Sequence, residues 1–235
     1  MNIRKTILLK LTGEILPINA QHQIDGCYLR SIAQQIRQLQ PTHYFGIVIG
    51  GGNFFRGNKQ GAHLGLSPSV GHQIGMLATM MNGLIVKDIL EQEGIRSTLF
   101  SAIPSSEIAI PISQQAIKNA MENGDCAIFA GGTGNPFFTT DTNAILRALQ
   151  MKADCVWKGT NVDGIFSADP RINPQAYFLK QVTYQEALTN NLRILDATAF
   201  VLAKEHGLKI RVFNIFKENA LIDAAHQQDM GSIVT

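Results

Sequence analysis

Three side chains that could act on a phosphoryl group lie among glycines and hydroxyl residues in this 235-residue chain. Lys10 is in the segment "ILLKLTGE", Arg56 is in "VIGGGNFFRG", and Asp141 ends "AGGTGNPFFTTD". Glycine lets backbone N–H groups approach an anion closely, and lysine and arginine supply positive charge. Together, the three segments indicate a binding site for a polyphosphate.

The elements that must position these residues are predicted from apolar periodicity. Apolar runs predict strands at 6–11, 44–49, 97–102, 126–130, 154–158, 209–214 and 232–235. Helical spacing predicts helices at 25–40, 69–92, 113–122, 140–151, 184–189 and 196–206. We expect a break in the second helix near Gly83, and core positions for Met76, Leu77, Met80, Met81 and Leu84. Strands that alternate with helices predict a mostly parallel sheet with helices on both faces.

Four of the predicted strands are followed by segments that contain glycine, hydroxyl or amide residues. The segments that follow them are "KLTGE", "GGGNFFRG", "GGTGNPFFTTD" and "KGTNVDGIFSADP". The carboxyl ends of parallel strands meet at one edge of the sheet, and this edge is where open α/β sheets bind ligands. Any single segment could be an ordinary turn, because glycines often end strands. Four such segments, with Lys10, Arg56 and Asp141 among them, favour a polyphosphate site.

Two common phosphate-binding motifs are missing from the sequence. The nearest approach to the Walker pattern G-x-x-x-x-G-K-[ST] runs from Gly52 to Gly57, and Asn58 follows it instead of lysine. The dinucleotide pattern G-x-G-x-x-G is absent after the first strand. The sequence therefore disfavours both P-loop and Rossmann enzymes.

Composition excludes further classes of protein. Apolar residues make up 45% of the chain, charged residues make up 16%, and the net charge is +2, so charge gives no reason to expect a nucleic-acid partner. Cys27, Cys126 and Cys155 have no spacing for a zinc site or a disulfide framework. No apolar run reaches the 18 residues of a membrane span. We expect one domain over residues 1–235, a cytoplasmic location and no membrane partner.

The chain resembles the bacterial uridylate (UMP) kinases of the amino acid kinase superfamily. Seven segments carry the resemblance in the same order and cover nearly the whole chain: "ILLKLTGE", "VIGGGNFFRG", "GMLATMMNGL", "SAIP", "GTGNPFFTTD", "VDGIFSADP" and "IRVFN". The resemblance implies a three-layer α/β sandwich with a central, mostly parallel sheet of about eight strands. It implies transfer of the γ-phosphoryl group of ATP to UMP, which gives UDP for pyrimidine nucleotide biosynthesis. It also implies a homohexamer with allosteric control by GTP and UTP.

The resemblance assigns catalytic roles to Lys10, Arg56 and Asp141. Lys10 would neutralise charge on the transferring group, and Asp141 would orient Lys10. The implied ATP-binding residues are Lys10, Leu11, Thr12, Gly13, Gly52, Arg56, Thr160, Asn161, Phe166 and Asp169. The residues themselves leave other roles open: Lys10 could be an edge lysine that reaches solvent, and Asp141 could be an acid stabilised by a helix dipole.

The resemblance also assigns a binding site for the acceptor. The implied UMP-binding residues are Gly51, His72, Thr133, Gly134, Asn135, Pro136, Phe137, Phe138, Thr139 and Thr140. Phe137 and Phe138 would shape the uridine side or simply pack the loop. Asp196 is a possible further residue near the acceptor, with capping of a helix N-terminus as an equal alternative.

Two positions depart from the family pattern. His72 stands where the family usually has an aspartate that accepts hydrogen bonds from the acceptor ribose, whereas a neutral imidazole accepts only one bond. Gln73 could substitute for that carboxylate. Residues 17–23 replace the usual glycine-rich loop after the first strand, which leaves the response to GTP and UTP open.

The implied mechanism needs no general base, because an acceptor phosphate oxygen already carries negative charge. Mg²⁺ would be held mainly by the ATP phosphates and water, so no metal-binding carboxylate cluster is expected in the protein. The alternatives are a non-catalytic nucleotide sensor of the same fold and a relative with another acceptor. The combination of Lys10, Arg56 and Asp141 favours the enzyme.

Overall fold

The computed structural model describes residues 4–56, 60–170, 172–192, 194–227 and 230–235. The strands are β1 (Lys5–Leu11), β2 (His43–Ile49), β3 (Ser97–Ser101), β4 (Ile110–Pro111), β5 (Cys126–Ala130), β6 (Cys155–Thr160), β7 (Ile165–Phe166), β8 (Phe178–Leu179), β9 (Gln181–Val182), β10 (Ile210–Asn214) and β11 (Ser232–Val234). The helices are α1 (Cys27–Leu39), α2 (Pro68–Gln92), α3 (Gln114–Glu122), α4 (Thr140–Met151), α5 (Tyr184–Thr189), α6 (Ala197–Glu205) and α7 (Ala220–His226). Gly57 and Asn58, which end the segment that most nearly approaches the Walker pattern, lie outside the described residues.

One large sheet organises the molecule, with its strands in the order β4-β3-β5-β2-β1-β6-β10-β11-β9. Within the described ranges, every pairing in this sheet is parallel except the pairing of β10 with β11. Strands β7 and β8 form a separate antiparallel pair. The prediction of a mostly parallel sheet is confirmed, with nine strands instead of about eight.

Helices cover both faces of this sheet and enclose two hydrophobic cores. One core contains buried side chains of α1, α2 and α7, and the other contains those of α3, α4, α5 and α6. Successive strand residues point to opposite faces, so Leu9 joins the first core and Leu8 joins the second. The predicted three-layer α/β sandwich is therefore confirmed. No helix in the described part of the chain is long and apolar enough to cross a membrane.

Helix α2 differs from the prediction because it is continuous through Gly83. A Cβ atom at this position would lie 3.0 Å from both Ala130 Cβ and Leu99 Cδ1. Glycine therefore lets the helix approach the sheet closely instead of ending it. Leu77, Met81 and Leu84 were expected in the core but are exposed, at 54%, 48% and 37%.

The sequence prediction also missed several short elements, although it includes α5 and β11, which have six and three residues. Strands β4, β7, β8 and β9 have two residues each, and α7 has seven. Two residues cannot show an alternating pattern. These elements depend on pairing and packing with distant parts of the chain.

Candidate active site

Four adjacent strands of the sheet, in the order β5-β2-β1-β6, bring most of the predicted site residues to one edge. Strand β1 carries Lys10, which is paired in register with Val48 of β2 and Lys158 of β6. The segment after β2 spans residues 50–56 and is called the β2 loop. The segment after β5 spans residues 131–139 and is called the β5 loop. The structure thus places Lys10 between these two loops on one side and the segment after β6 on the other.

Asp141, at the start of α4, joins two lysines. The Nζ atom of Lys10 lies 3.1 Å from Asp141 Oδ1, and Lys158 Nζ donates a hydrogen bond of 2.6 Å to Oδ2. Lys158 Nζ also donates to the backbone carbonyl of Ile194 at 2.7 Å. The lysine side chains are 15% exposed and the aspartate is 16% exposed. The cluster therefore contains two cations and one carboxylate, and Asp196 is close enough to attract Lys158 as well.

Burial and the neighbouring charges shift two pKa values in this cluster. Burial opposes ionisation of Asp141, but the ammonium groups of Lys10 and Lys158 outweigh it and hold the aspartate pKa below its ordinary value. Burial is also the largest influence on Lys158 and, with the nearby charge of Lys10, lowers the lysine pKa despite the attraction of Asp141. Asp141 therefore stays ionised at neutral pH.

Sequence reasoning missed Lys158. This residue ends the strand predicted at 154–158, and the predicted site residues of that segment begin only at Thr160. A usable indication existed, because "VWKG" places a lysine after buried apolar residues, as "LLKL" does for Lys10. What the sequence does not reveal is the register that brings the two lysines side by side.

The β2 loop places Arg56 near the turn after β1. Arg56 Nε donates to the Gly52 carbonyl at 3.2 Å, and Arg56 Nη2 lies 3.1 Å from Glu14 Oε1. The arginine and glutamate side chains are 53% and 45% exposed, so this ion pair contributes little to stability. The guanidinium is therefore able to leave Glu14 for a phosphate.

The turn after β1 packs tightly under the β2 loop. A Cβ atom on Gly13 would lie 2.7 Å from Asn53 Oδ1 and 2.9 Å from the Gly50 carbonyl. Thr12 caps the turn by accepting a hydrogen bond from Glu14 N at 3.3 Å. Leu11 was predicted to bind ATP, but its side chain is fully buried in the core. A ligand could contact only its backbone.

A cavity of about 380 Å³ opens between the β2 loop, the start of α2 and the β5 loop, and it is called the loop cavity. Seven of the ten predicted UMP-binding residues line it: Gly51, His72, Thr133, Asn135, Phe138, Thr139 and Thr140. Gly52 and Arg56, predicted to bind ATP, also line it. Gly134, Pro136 and Phe137 do not belong to its lining. The predicted acceptor residues therefore come together around one space.

The β5 loop has an unusual backbone. Gly131, Gly132 and Gly134 have φ angles of +74°, +59° and +81°, a region that favours glycine. Phe137 also has a positive φ of 72° and is 68% exposed, and its ring centroid lies 5.3 Å from that of His72. A phenylalanine in this conformation is strained, and such strain commonly occurs at ligand sites. The Phe137 ring does not pack into the core.

Asp196 has the capping role that the sequence left open, and its place near the acceptor stays a prediction. Its Oδ1 atom accepts a hydrogen bond of 3.0 Å from Ala199 N and so caps α6. Its carboxylate also accepts hydrogen bonds from the hydroxyls of Thr139 and Thr142. Because Thr139 in turn caps α4, Asp196 fixes the helix end that carries Asp141.

The remaining predicted ATP-binding residues lie on the other side of β1. Thr160 ends β6, and Asn161 follows it. Phe166 lies in β7, and its ring packs edge-on against that of Phe178 with the ring centroids 5.5 Å apart. Asp169 follows β7, and its carbonyl accepts hydrogen bonds from the backbone of 172 and 173. This segment is separated from the loop cavity by the strand that carries Lys10.

The structure offers few ligands for a metal ion. The described residues contain no group of three or more histidine, cysteine, aspartate or glutamate side chains that could hold one. Asp141 Oδ1 is buried and accepts no hydrogen bond, because Lys10 approaches it without hydrogen-bond alignment. This carboxylate oxygen therefore has an ion-pair partner but no hydrogen bond.

These features define an α/β protein with glycine-rich loops and a pair of partly buried lysines at one edge of its sheet. The family model described as "Amino acid kinase family" matches residues 5–214. The chain is 42% identical to the uridylate kinase of Mycoplasma pneumoniae over 234 residues, 99% of both chains. It is 42% identical to that of Serratia proteamaculans over 99% of this chain and 97% of the relative. The chain belongs to the amino acid kinase family and, within it, to the uridylate kinases.

Solved structures agree with this assignment. The crystal structure of UMP kinase from Ureaplasma parvum is similar with a TM-score of 0.95 and 35% identity, covering 99% of both chains. The structure of UMP kinase from Bacillus anthracis is similar with a TM-score of 0.91 and 28% identity, covering 98% of this chain and 96% of that one.

Proposed function

We propose that this chain is a UMP kinase, a phosphotransferase that moves the γ-phosphoryl group of ATP to UMP and gives UDP. The observation that carries the proposal is the cluster of Lys10, Asp141 and Lys158, in which Asp141 directly follows Thr140 of the loop cavity. Full-length similarity to uridylate kinases supports the choice of acceptor. The whole chain, residues 1–235, would serve as one amino acid kinase domain.

The two nucleotides would lie on opposite sides of Lys10. UMP would occupy the loop cavity, with the hydroxyls and backbone of residues 133–140 around it. ATP would extend from the β1 turn towards residues 160–169 after β6. The transferring phosphoryl group would then lie between Lys10 and Lys158, which share the carboxylate of Asp141.

Catalysis in this arrangement depends on positioning and on charge. The attacking oxygen of UMP is already anionic, so no side chain has to remove a proton. The ammonium groups of Lys10 and Lys158 would stabilise negative charge spread over the transferring group, and Asp141 would keep both in place. Arg56 would bind phosphate oxygens with its planar guanidinium.

ATP-dependent transfer in this family implies a divalent metal, for which we propose Mg²⁺. The chain fits such an ion, because Mg²⁺ bound through ATP phosphates and water needs few protein ligands. Asp141 Oδ1, buried and without a hydrogen bond, is the protein oxygen that could contact its hydration shell. When bound, the ion would neutralise charge on the ATP phosphates.

We also propose that the protein acts as a cytoplasmic homohexamer in pyrimidine nucleotide biosynthesis, under allosteric control by GTP and UTP. Exposed apolar side chains at Val70, Leu77, Met81 and Leu84 follow helical spacing along α2, and a second subunit would cover them. Light scattering after gel filtration would measure the subunit number. A Leu77→Glu variant should then give smaller particles. We propose no nucleic-acid or membrane partner.

An assay of ADP release with a panel of acceptors tests the function. The protein should release ADP from ATP when UMP is the acceptor, but not when CMP, carbamate or N-acetylglutamate is. Tight ATP binding without acceptor-dependent ADP would instead favour a sensor of the same fold. Release with another member of the panel would reassign the acceptor.

A further inference from the structure

Two polar side chains on the buried face of α2 point towards the two glycine-rich loops. Thr79 and Asn82 are three residues apart, so they lie on the same side of the helix. Thr79 is 7% exposed and Asn82 is 0% exposed. Buried polar groups of this kind need hydrogen-bond partners, and the identity of the partners is informative.

Of the two loops, the Asn82 side chain bonds within the described residues to the β2 loop. Its Nδ2 atom donates to the Gly50 carbonyl and to Asn53 Oδ1, both at 2.7 Å, and its Oδ1 atom accepts from Asn53 Nδ2 at 3.1 Å. Asn53 also donates to the carbonyl of Leu16 at 3.1 Å, beyond the β1 turn. The two amides therefore form a reciprocal pair that fixes the loop at two points and ties it to the turn after β1.

Of the two loops, the Thr79 side chain bonds within the described residues to the β5 loop. Its hydroxyl accepts a hydrogen bond of 2.9 Å from Gly131 N and donates one of 2.7 Å to Met76 O. Gly131 is the first residue after β5 and has a positive φ of 74°. This bond fixes the loop where it turns away from the sheet.

The helix lies close enough to the loops for these bonds to control their position. A Cβ atom on Gly51 would lie 2.7 Å from Ala78 Cβ and 3.0 Å from Thr79 N. A Cβ atom on Gly132 would lie 3.2 Å from Met76 Cγ. Both loops therefore rest directly on α2, and a small shift of either would change the shape of the loop cavity.

We propose that Thr79 and Asn82 are positioning residues that hold the two nucleotide loops independently. Asn82 sets the β2 loop, which carries Gly51, Gly52 and Arg56, and so affects both substrates and turnover. Thr79 sets the β5 loop and so affects the acceptor alone. The assignment of substrates to loops rests on the proposed function, whereas the separate anchoring of the loops does not.

Steady-state kinetics with UMP and ATP would test the division. Thr79→Val keeps the shape of the side chain and removes the hydroxyl, so the KM for UMP should rise about tenfold while the KM for ATP stays within about twofold. Thr79→Ser should restore the wild-type value. Asn82→Ala should lower kcat by about tenfold and raise both KM values.

Gln35→Leu provides the matched control. Gln35 is a buried amide on α1, 6% exposed, that accepts a hydrogen bond of 2.8 Å from Leu221 N far from both loops. This variant should lose thermal stability without changing either KM. The proposal is overturned if Thr79→Val and Asn82→Ala behave like this control, or if Thr79→Val raises both KM values equally.

Amide hydrogen exchange gives a second readout that needs no acceptor. Exchange near residues 131–132 should accelerate in Thr79→Val, and exchange near residues 50–53 should accelerate in Asn82→Ala, each with the other loop unchanged. Faster amide exchange in both loops in both variants would contradict independent anchoring. If each variant changes exchange in its own loop only but UMP is not a substrate, the proposed function is wrong and the separate anchoring of the loops is supported.

Discussion

Helix α4 carries two buried cationic sites with opposite construction. At its first turn, Asp141 lies between the ammonium groups of Lys10 and Lys158. Nearly two turns later, Arg147 is only 4% exposed and has no ion pair among the described residues. One site contains a fixed carboxylate, and the other contains none.

The guanidinium of Arg147 is held by neutral oxygens. It donates to Asn143 Oδ1 at 3.0 Å, Gln150 Oε1 at 2.7 Å and the Gly132 carbonyl at 3.3 Å. Burial lowers the pKa of Arg147 to about 10, so the group remains charged at pH 7. Neutral acceptors orient this cation but do not offset the cost of burying its charge.

The difference shows what the carboxylate adds at the first site. Asp141 holds two like charges together, which neutral acceptors could not do. Arg147 supports the β5 loop through Gly132 without needing a fixed counter-charge. Asp141 therefore lies where two positive charges must be held close together.

Asp141→Asn should have the largest effect. The amide keeps the size of the side chain but leaves Lys10 and Lys158 without a counter-charge, so we expect kcat to fall by about 10²–10³. The free energy of unfolding should also fall, by about 3 kcal/mol. Steady-state kinetics and denaturant titration measure these effects. Near wild-type turnover would show that the lysines hold their positions without Asp141.

The pH dependence of kcat/KM, which reports the free enzyme, should show the lowered pKa of Lys158. On the proposed mechanism a protonated lysine stabilises the transferring group, so kcat/KM should decline with rising pH once Lys158 loses its proton. Because burial lowers this pKa, the decline should begin below the ordinary lysine value of about 10.5. Beyond the pKa, kcat/KM should fall about tenfold per pH unit.

Lys158→Arg provides the comparison for that profile. Arginine keeps its proton throughout this range, so the decline should move to higher pH even if turnover is reduced. An unchanged profile in the variant would assign the decline to another group and remove Lys158 from the mechanism.

Local sequence patterns were enough to predict β1, β2, β5, α4 and the glycine-rich segments after the strands. Each depends on apolar spacing or on residues with a special backbone role, which are properties of a short segment. The same reasoning placed Lys10, Arg56 and the β5 loop at one edge, because parallel strands end together.

Contacts between distant segments could not be predicted in this way. Lys158 meets Asp141 only through the register of β1 with β6, and Asp196 meets Thr139 across 57 positions. The partners of Asn82 likewise depend on how closely α2 approaches the β2 loop. Periodicity describes which face of an element is buried, but it does not identify what that face contacts.

Arg147→Gln should have a smaller effect on stability than Asp141→Asn, and it should not destabilise the protein. Glutamine keeps an amide donor for the neighbouring oxygens and removes a buried charge that has no carboxylate partner. The free energy of unfolding should therefore be unchanged or higher by about 1 kcal/mol. Denaturant titration beside Asp141→Asn makes the measurement. A loss as large as that of Asp141→Asn would mean that the two sites do not differ as described.

His72→Asp should have the smallest effect. Among the described residues that line the loop cavity, Arg56 and His72 are the ionisable side chains, so no carboxylate of this lining would meet the ribose of a UMP bound there as proposed. An aspartate could accept hydrogen bonds from both ribose hydroxyls, whereas neutral histidine accepts one. Its charge would repel the phosphate of UMP, but Arg56 lies in the same cavity to offset that repulsion. The KM for UMP should therefore fall by about fivefold, and an equal or higher KM would show that His72 does not face the ribose.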